Sequence, residues 1–257
     1  MSIPTGLHVC LINLDRSPER LAEFRENNAH LREDFTRLSA VDGQTLDLGV
    51  LQGAGLITSD ILTTYSTNEL ACAMSHIALW KRGLASGEII TIAEDDAIFH
   101  QEFQRHAVEV IAKLPADWDI ILWGWNFDLF LSLEMLPGLS PCLAQFEEIK
   151  SMEAARQFQS QRLQPFPLKL RWAFGMPCYS VSPNGARRMM AKSLPLRPLV
   201  YPFPEALRAK PHMPYYRTVG IDVTLSGIYP ELNAFICFPP IVITRNDQSQ
   251  STKVPAR

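Results

Sequence analysis

The chain lacks the features that mark membrane-spanning, secreted or nucleic-acid-binding proteins. Its 257 residues contain no apolar run of about 18 residues, the length that a helix needs to cross a bilayer. Its formal net charge is −3, so the basic excess typical of nucleic-acid-binding domains is missing. The N-terminus lacks the pattern of a signal peptide. We therefore expect a cytoplasmic protein that binds no nucleic acid, and a basic lean in residues 165–210 leaves peripheral contact with a membrane surface open.

Cysteine is scarce as well. The five cysteines are odd in number, and none are spaced as CxxC. This argues against both a disulfide framework and a zinc site, and it indicates a reducing compartment. The length and the ordinary content of hydrophobic residues predict a folded chain with a sizeable core, and we expect one domain.

Strand and helix patterns alternate through the first half of the chain. Apolar, β-branched segments at 7–14, 35–41, 88–93 and 119–124 predict strands. Helices are predicted after Ser17-Pro18, after the capping box that starts at Ser66, and over 101–114. This alternation predicts an α/β fold with a mostly parallel sheet. Later segments are less periodic: 137–175 reads as long loops with a short helix or strand, 194–217 as an ordered loop or lid, and 221–228 as a short helix.

Three consecutive acids, Glu94, Asp95 and Asp96, follow the apolar run at 89–93. Like charges this close repel one another, and a divalent cation would offset the repulsion. Carboxylate oxygens suit Mg²⁺ and Mn²⁺, and ligands of α/β proteins bind at the carboxyl ends of strands. The triplet thus indicates a metal-assisted site for a phosphorylated ligand, and a solvated acidic turn is the alternative.

A second group of candidates follows the first strand. Asn13, Leu14 and Arg16 end that strand, and Arg20 lies in the helix after it. Helix N-termini and arginines both attract phosphate, so Arg16 and Arg20 are candidates for binding a diphosphate. The alternative is that they form surface ion pairs with neighbouring acids.

Three further residues are candidates for chemistry. At about 100° per residue, Glu69 and His76 share one stripe of the helix that starts after Ser66. The two side chains would then edge a cleft, or His76 is simply a packed core residue. Asp222 begins the predicted helix at 221–228, either as a structural first-turn acid or as a general base.

Aromatic and amide side chains follow the predicted strand at 119–124. Trp123, Trp125 and Asn126 combine an apolar face with a hydrogen-bonding group, which is what a sugar ring requires. Burial in the core is the alternative for both tryptophans.

Taken in chain order, the motifs resemble those of glycosyltransferase family 25. Members of this family include bacterial lipooligosaccharide and lipopolysaccharide sugar transferases and collagen galactosyltransferases. The resemblance covers nearly the whole chain. It rests on the segments 12–20, 69–76, 94–97 and 179–186, on Asp222, and on 239–242.

The resemblance implies a GT-A type fold in a single domain over 1–257, with a nucleotide-binding part at about 1–130 and a loop-rich acceptor part at about 131–257. It implies inverting transfer of a hexose, commonly galactose from UDP-galactose, onto a saccharide or glycolipid acceptor. The acidic triplet would act as a DxD motif. Its residues would then hold the donor (Glu94 and Asp95) and Mn²⁺ or Mg²⁺ (Asp96 with Glu94).

The remaining roles follow from this picture. Asn13, Leu14, Arg16, Arg20 and His76 would bind the donor. Asp222 is the first candidate for the base and Glu69 the second, and Trp123, Trp125 and Asn126 would bind the acceptor. Two other functions stay open, namely a sugar-nucleotide phosphotransfer enzyme and a catalytically silent relative that binds sugar nucleotides.

Overall fold

The computed structural model of this protein describes residues 6–31, 34–127, 130–147, 151–208 and 214–244. In chain order its strands are β1 (Val9–Asn13), β2 (Phe35–Ser39), β3 (Ile90–Glu94), β4 (Ala97–Phe99), β5 (Ile120–Leu122), β6 (Phe130–Leu136), β7 (Ser140–Gln145), β8 (Phe166–Trp172), β9 (Cys178–Val181), β10 (Val200–Pro202), β11 (Tyr215–Arg217), β12 (Ala234–Phe238) and β13 (Val242–Thr244). Its α-helices are α1 (Pro18–Asn27), α2 (Leu48–Gly53), α3 (Thr67–Ser86), α4 (Phe103–Ile111), α5 (Met152–Gln159), α6 (Pro183–Ser193), α7 (Glu205–Arg208) and α8 (Ile221–Ile228).

The centre of the fold is a nine-stranded mixed sheet in the order β2-β1-β3-β9-β5-β12-β8-β6-β7. The strand pairings give β7, β8 and β9 one direction and the six other strands the opposite direction. Two small antiparallel pairs, β4–β13 and β10–β11, lie beside it. Helices flank the sheet, which confirms the predicted α/β class with a GT-A-like arrangement.

The sheet is buried on both faces because alternate strand residues enter two different hydrophobic clusters. Ile92 and Ile120 belong to the cluster that contains buried residues of α3, α6 and α8. Leu11 and Ile121 belong to the cluster that contains buried residues of α1 and α4. Burial on both faces explains why these strands are continuous apolar runs in the sequence.

Helix α3 is positioned by signals at both of its ends. The Ser66 hydroxyl accepts a hydrogen bond from Glu69 N, and the Glu69 carboxylate accepts one from Ser66 N, which completes the predicted capping box. Gly87 ends the helix in the left-handed conformation, which glycine adopts without steric cost. The helix therefore runs for 20 residues with a fixed start, and its buried residues include Leu70, His76 and Trp80.

The second half of the chain is more regular than its sequence predicts. The segment 137–175, predicted as long loops with a short helix or strand, contains β7, α5 and the whole of β8. The segment 194–217, predicted as an ordered loop or lid, contains β10, α7 and β11. These elements are short, and prolines lie within β7, β8 and β10. Their sequences therefore lack a clear period, and the strands form through pairing with distant neighbours.

Candidate active site

A cleft of about 310 Å³ opens where β1 and β3 end. The two strands are parallel, and Ile12 pairs with Glu94 in their register, so Asn13 and the acidic triplet leave the sheet side by side. Residues of α1, α3, α8 and the segment before β9 complete the walls. The predicted residues that line the cleft are Asn13, Leu14, Arg16, Arg20, Glu69, Glu94, Asp95, Asp96, Asn126 and Asp222.

Asp95, in the turn between β3 and β4, is held by two donors from the first strand–helix unit. Its Oδ2 accepts a hydrogen bond from Asn13 Nδ2 at 2.7 Å, and its Oδ1 accepts one from Arg20 Nε at 2.8 Å and a further contact from the same guanidinium. Burial opposes the charge of Arg20, but Asp95, with Asp96 and Glu94 nearby, outweighs it and raises the pKa of the guanidinium. Arg20 thus neutralises part of the acidic triplet.

Neighbouring side chains fix Asn13 and Arg16 in turn. Arg37 Nε donates to Asn13 Oδ1 at 2.9 Å, which orients the amide of Asn13 toward Asp95. Arg16 Nε donates to Asp42 Oδ2 at 2.8 Å and also lines the cleft. Arg16 and Arg20 therefore both form ion pairs, but with partners on other segments and not with their sequence neighbours.

Glu94 lies between the cleft and the buried His76. The Nε2 atom of His76 is 3.5 Å from Glu94 Oε1, and its Nδ1 is 2.9 Å from the Tyr179 hydroxyl. Burial alone would lower the pKa of His76, but the nearby Cys72 thiol and Glu94 carboxylate overcome this and raise it to about 9. His76 is fully buried and does not line the cleft, so its predicted contact with the donor does not fit its position. It lies behind Glu94 instead.

The oxygen donors at the end of β3 fit a hard divalent cation. Glu94 and Asp96 line the cleft together with Thr244, at the end of β13, which pairs in register with Ala97 directly after the triplet. Two carboxylates and a hydroxyl are the ligand types that Mg²⁺ and Mn²⁺ prefer. Among the residues of the triplet, Asp96 and Glu94 would hold such an ion, whereas Asp95 is engaged by Asn13 and Arg20.

Asp222 and Glu69 line the same cleft as the triplet. Both also line a smaller adjoining cavity of about 180 Å³, which is bounded by the 219–223 segment and shares Glu94 with the cleft. Asp222 Oδ2 accepts a hydrogen bond from Gly175 N at 3.0 Å, and no other hydrogen bond to this carboxylate occurs among the described residues. Asp222 is thus oriented by the backbone with one oxygen available, which suits a general base.

The aromatic candidates occupy a different position from the one predicted. Trp123 and Trp125 are fully buried, and the indole N–H of Trp123 donates to Ser180 Oγ at 2.8 Å. Trp125 packs between Phe127 and Phe238. Full burial does not fit the predicted stacking on an acceptor sugar, so neither tryptophan belongs to the candidate site. Their bulky rings fill the space between the sheet and its covering segments.

Asn126, by contrast, does line the cleft. Its backbone N–H donates to Phe174 O at 3.1 Å, which brings its side chain beside Gly175. Gly175 has φ of +79°, and a Cβ there would lie 2.1 Å from Asn126 Oδ1. Glycine is therefore required both by the backbone conformation and by the close approach of Asn126.

Several residues of the cleft are not among the sequence candidates. Cys72 and Ser75 lie on α3 between Glu69 and His76, and the helical spacing from Glu69 is the signal that would have indicated Cys72. Gly175 and Thr244 come from distant segments and carry no local signal. The cleft residues not predicted from the sequence are Ile12, Ala40, Val41, Gly43, Asn68, Ala71, Cys72, Ser75, Gly175, Met176, Pro177 and Thr244.

The fold and cleft define an α/β protein in which an acidic strand end and two further carboxylates line one cleft. Comparison with known proteins gives the family. The family described as "Glycosyltransferase family 25 (LPS biosynthesis protein)" matches residues 7–203. The chain therefore belongs to glycosyltransferase family 25. This confirms the resemblance drawn from the motifs.

Individual relatives match over about half of this chain. A glycosyltransferase 25 family member from Aedes aegypti is 31% identical over 126 residues, which is 46% of this chain and 21% of the relative. The inactive glycosyltransferase 25 family member 3 of Mus musculus is 29% identical over 147 residues, 51% of this chain and 24% of the relative. Procollagen galactosyltransferase 1-A of Xenopus laevis is 29% identical over 129 residues, 45% of this chain and 21% of the relative. The matches thus span about a fifth to a quarter of each relative.

The helices were also compared with the requirements of a membrane span. Within the described ranges, none combines the length and the apolar character needed to cross a bilayer.

Proposed function

We propose that this chain is an inverting, metal-assisted hexosyltransferase that moves galactose from UDP-galactose onto a saccharide acceptor of lipooligosaccharide, lipopolysaccharide or another surface glycan. One observation carries the proposal: Asp222 and Glu69 line the same cleft as the Glu94-Asp95-Asp96 triplet. Inversion needs one base on the face of the donor sugar opposite the leaving group. The family description, which names LPS biosynthesis, and the galactosyltransferase name of the frog relative support the substrates.

The donor would lie along the wall formed by Asn13, Leu14 and the acidic triplet. Mn²⁺ or Mg²⁺, held by Asp96 and Glu94, would neutralise the diphosphate as negative charge develops on it. Arg16 lines the same wall and supplies positive charge to the diphosphate. Arg20 also lines the cleft, and its guanidinium holds Asp95.

The acceptor hydroxyl would approach from the smaller cavity. Asp222, held through Oδ2 by Gly175, would remove the hydroxyl proton with its other oxygen as the acceptor oxygen attacks the anomeric carbon. Glu69 has its Oε2 engaged in the helix cap, so it is the second candidate for the base. Asn126, on the cleft wall, is a candidate for contacts to sugar hydroxyls.

Two variants test this assignment. Asp96→Ala should abolish transfer through loss of metal–diphosphate binding, and full activity with saturating Mn²⁺ would contradict the assignment. Asp222→Asn should reduce turnover by a factor of about 10² to 10⁴ while UDP-galactose binding is kept. A near-normal turnover number would move the base to Glu69 or to another residue.

Donor identity can be tested without knowledge of the acceptor. A thermal-shift series with UDP-galactose, UDP-glucose and UDP alone, each with Mn²⁺, should show the largest concentration-dependent rise in melting temperature for the true donor. Equal shifts for UDP-galactose and UDP-glucose would contradict selectivity for galactose.

A catalytically silent relative that binds sugar nucleotides is the second candidate, because a mouse relative is named inactive. Release of UDP with and without acceptor separates the two functions, since a silent protein would bind the donor without releasing UDP. The phosphotransfer alternative has less support, because no glycine lies between the end of β1 and the first turn of α1 to form a phosphate loop.

We further propose a cytoplasmic location with peripheral contact at the inner face of the membrane.

A further inference from the structure

Three side chains with different donor atoms meet behind the acidic triplet. Cys72 and His76 lie one turn apart on α3, and Glu94 ends the neighbouring strand β3. One ligand atom from each of these residues, sulfur, nitrogen and oxygen, lies within 4.8 Å of the other two. Cys72 and Glu94 line both cavities, so this group, which we call the Cys72 cluster, is open to ligands from the cleft.

The imidazole of His76 is oriented as a metal ligand requires. Its Nδ1 is 2.9 Å from the Tyr179 hydroxyl, whose oxygen also accepts a hydrogen bond from Trp80 Nε1 at 2.7 Å. Nε2 is buried, makes no hydrogen bond within the described part of the chain, and lies 3.5 Å from Glu94 Oε1. A hydrogen bond that fixes one ring nitrogen and directs the other at the metal is the usual arrangement around ligating histidines.

We propose that the Cys72 cluster binds a thiophilic divalent cation such as Zn²⁺. Thiolate, imidazole and carboxylate are all zinc ligands, and three protein ligands with an open fourth position are typical of accessible zinc sites. Bonds of about 2.0–2.3 Å in tetrahedral geometry place ligand atoms roughly 3.3–3.8 Å apart, so the His76–Glu94 pair is already at this spacing. Cys72 comes into range with a small side-chain adjustment. On binding, the thiol proton of Cys72 and the Nε2 proton of the His76 imidazolium both leave to solvent.

The cluster differs from the proposed Mn²⁺ or Mg²⁺ site in donor chemistry. A thiolate and an imidazole favour zinc over Mg²⁺, whereas the donors that face the diphosphate are oxygens. Glu94 belongs to both sets, so a cation bound by Cys72 and His76 withdraws Glu94 from the donor side. We therefore expect Zn²⁺ to inhibit transfer; this consequence rests on the proposed function, but the binding site does not.

Titration of the full chain with Co²⁺, a spectroscopic substitute for zinc, tests the site directly. We expect one equivalent to give a thiolate-to-cobalt charge-transfer band that Zn²⁺ removes by displacement. Cys72→Ser should abolish this band. It should also weaken Co²⁺ binding by more than the roughly tenfold to hundredfold that loss of an outer-shell partner costs.

Cys142→Ser is the matched control, because Cys142 is also half-buried and lies on β7 outside the cluster. It should leave the band unchanged. Absence of a band in the unmodified protein, its persistence in Cys72→Ser, or its loss in Cys142→Ser would each overturn the proposal.

A second measurement uses only the unmodified chain, so it does not depend on the folding of a variant. Zn²⁺ should slow alkylation of Cys72 by iodoacetamide, measured peptide by peptide, and leave alkylation of Cys142 unaffected. Equal rates at Cys72 with and without Zn²⁺ would overturn the site. If binding is confirmed but UDP-galactose transfer is absent, the proposed function fails and the metal site stands.

Discussion

The ion pair between Arg20 and Asp95 offers the sharpest test of how the acidic strand end is stabilised. Both side chains are mostly buried, with exposed fractions of 19% and 11%. Arg20→Gln removes the positive charge. Of the two side chains described above that donate hydrogen bonds to the Asp95 carboxylate, Asn13 then remains. Glu94 and Asp96 lie on either side, so their repulsion of Asp95 is no longer offset by the guanidinium.

The magnitude follows from the burial. Removal of one partner of a fully buried ion pair costs about 3–5 kcal/mol, and partial exposure lowers our expectation here to about 2–3 kcal/mol. In a chain of this size 1 kcal/mol corresponds to about 2–4 °C. The melting temperature of Arg20→Gln should therefore fall by roughly 4–12 °C.

Arg16→Gln is the matched control. Arg16 pairs with Asp42, and their side chains are 39% and 25% exposed, so its loss should cost below about 1 kcal/mol. The double variant Arg20→Gln/Asp95→Asn should regain part of the lost stability, because the uncompensated charge disappears with its partner.

Urea unfolding in metal-free buffer measures the free energy of unfolding of the unmodified chain, the two single variants and the double variant. Equal destabilisation by Arg20→Gln and Arg16→Gln would refute the reasoning. Mn²⁺ should then stabilise Arg20→Gln more than it stabilises the unmodified chain, because the ion supplies the missing positive charge.

Three further predictions concern other parts of the site. The pKa of His76 is raised from 6.5 to about 9, so its contribution to the free energy of unfolding is complete below about pH 6.5 and is lost as the pH rises through about 9; urea unfolding across this range should show a decline that Glu94→Gln reduces. Gly175→Ala should lose more stability than Gly138→Ala, because both glycines have positive φ but only the first faces an amide side chain, at 2.1 Å; equal losses by thermal unfolding would contradict the close approach. Glu69→Gln should keep the melting temperature, since glutamine also completes a capping box, and unchanged turnover in a UDP-release assay would exclude Glu69 as the base.

The sequence predicts the features of this protein that depend on local signals. Helix α3 is predicted from its capping box, and it begins directly after Ser66 as expected. The acidic triplet is predicted because three charges directly follow an apolar strand. Asp222 is placed at the start of α8, as its sequence context indicates.

Features that depend on long-range contacts are not predicted. Gly175 lies beside Asp222 and Asn126 because it shortly precedes β9, which pairs between β3 and β5. The odd number of cysteines and the lack of CxxC spacing argue against a zinc site in the sequence. The packing of α3 on β3 nevertheless brings together the three side chains of the Cys72 cluster, for which we propose zinc binding. Burial of both tryptophans depends on segments from elsewhere in the chain, and a strand-end pattern alone does not distinguish a ring that faces a cleft from one that faces the core.

The contacts at the strand end also separate the three carboxylates in a way that their sequence does not. The two carboxylate oxygens of Asp95 accept hydrogen bonds from Asn13 and Arg20. A cation or ribose would therefore have to compete with charge-assisted hydrogen bonds already made. Glu94 lies against His76, which ties its position to α3. We therefore expect Asp95 to hold the first strand–helix unit against the turn, while Asp96 and Glu94 face the donor nucleotide. On this reasoning Asp95→Asn should weaken binding of UDP-galactose less than Asp96→Ala does.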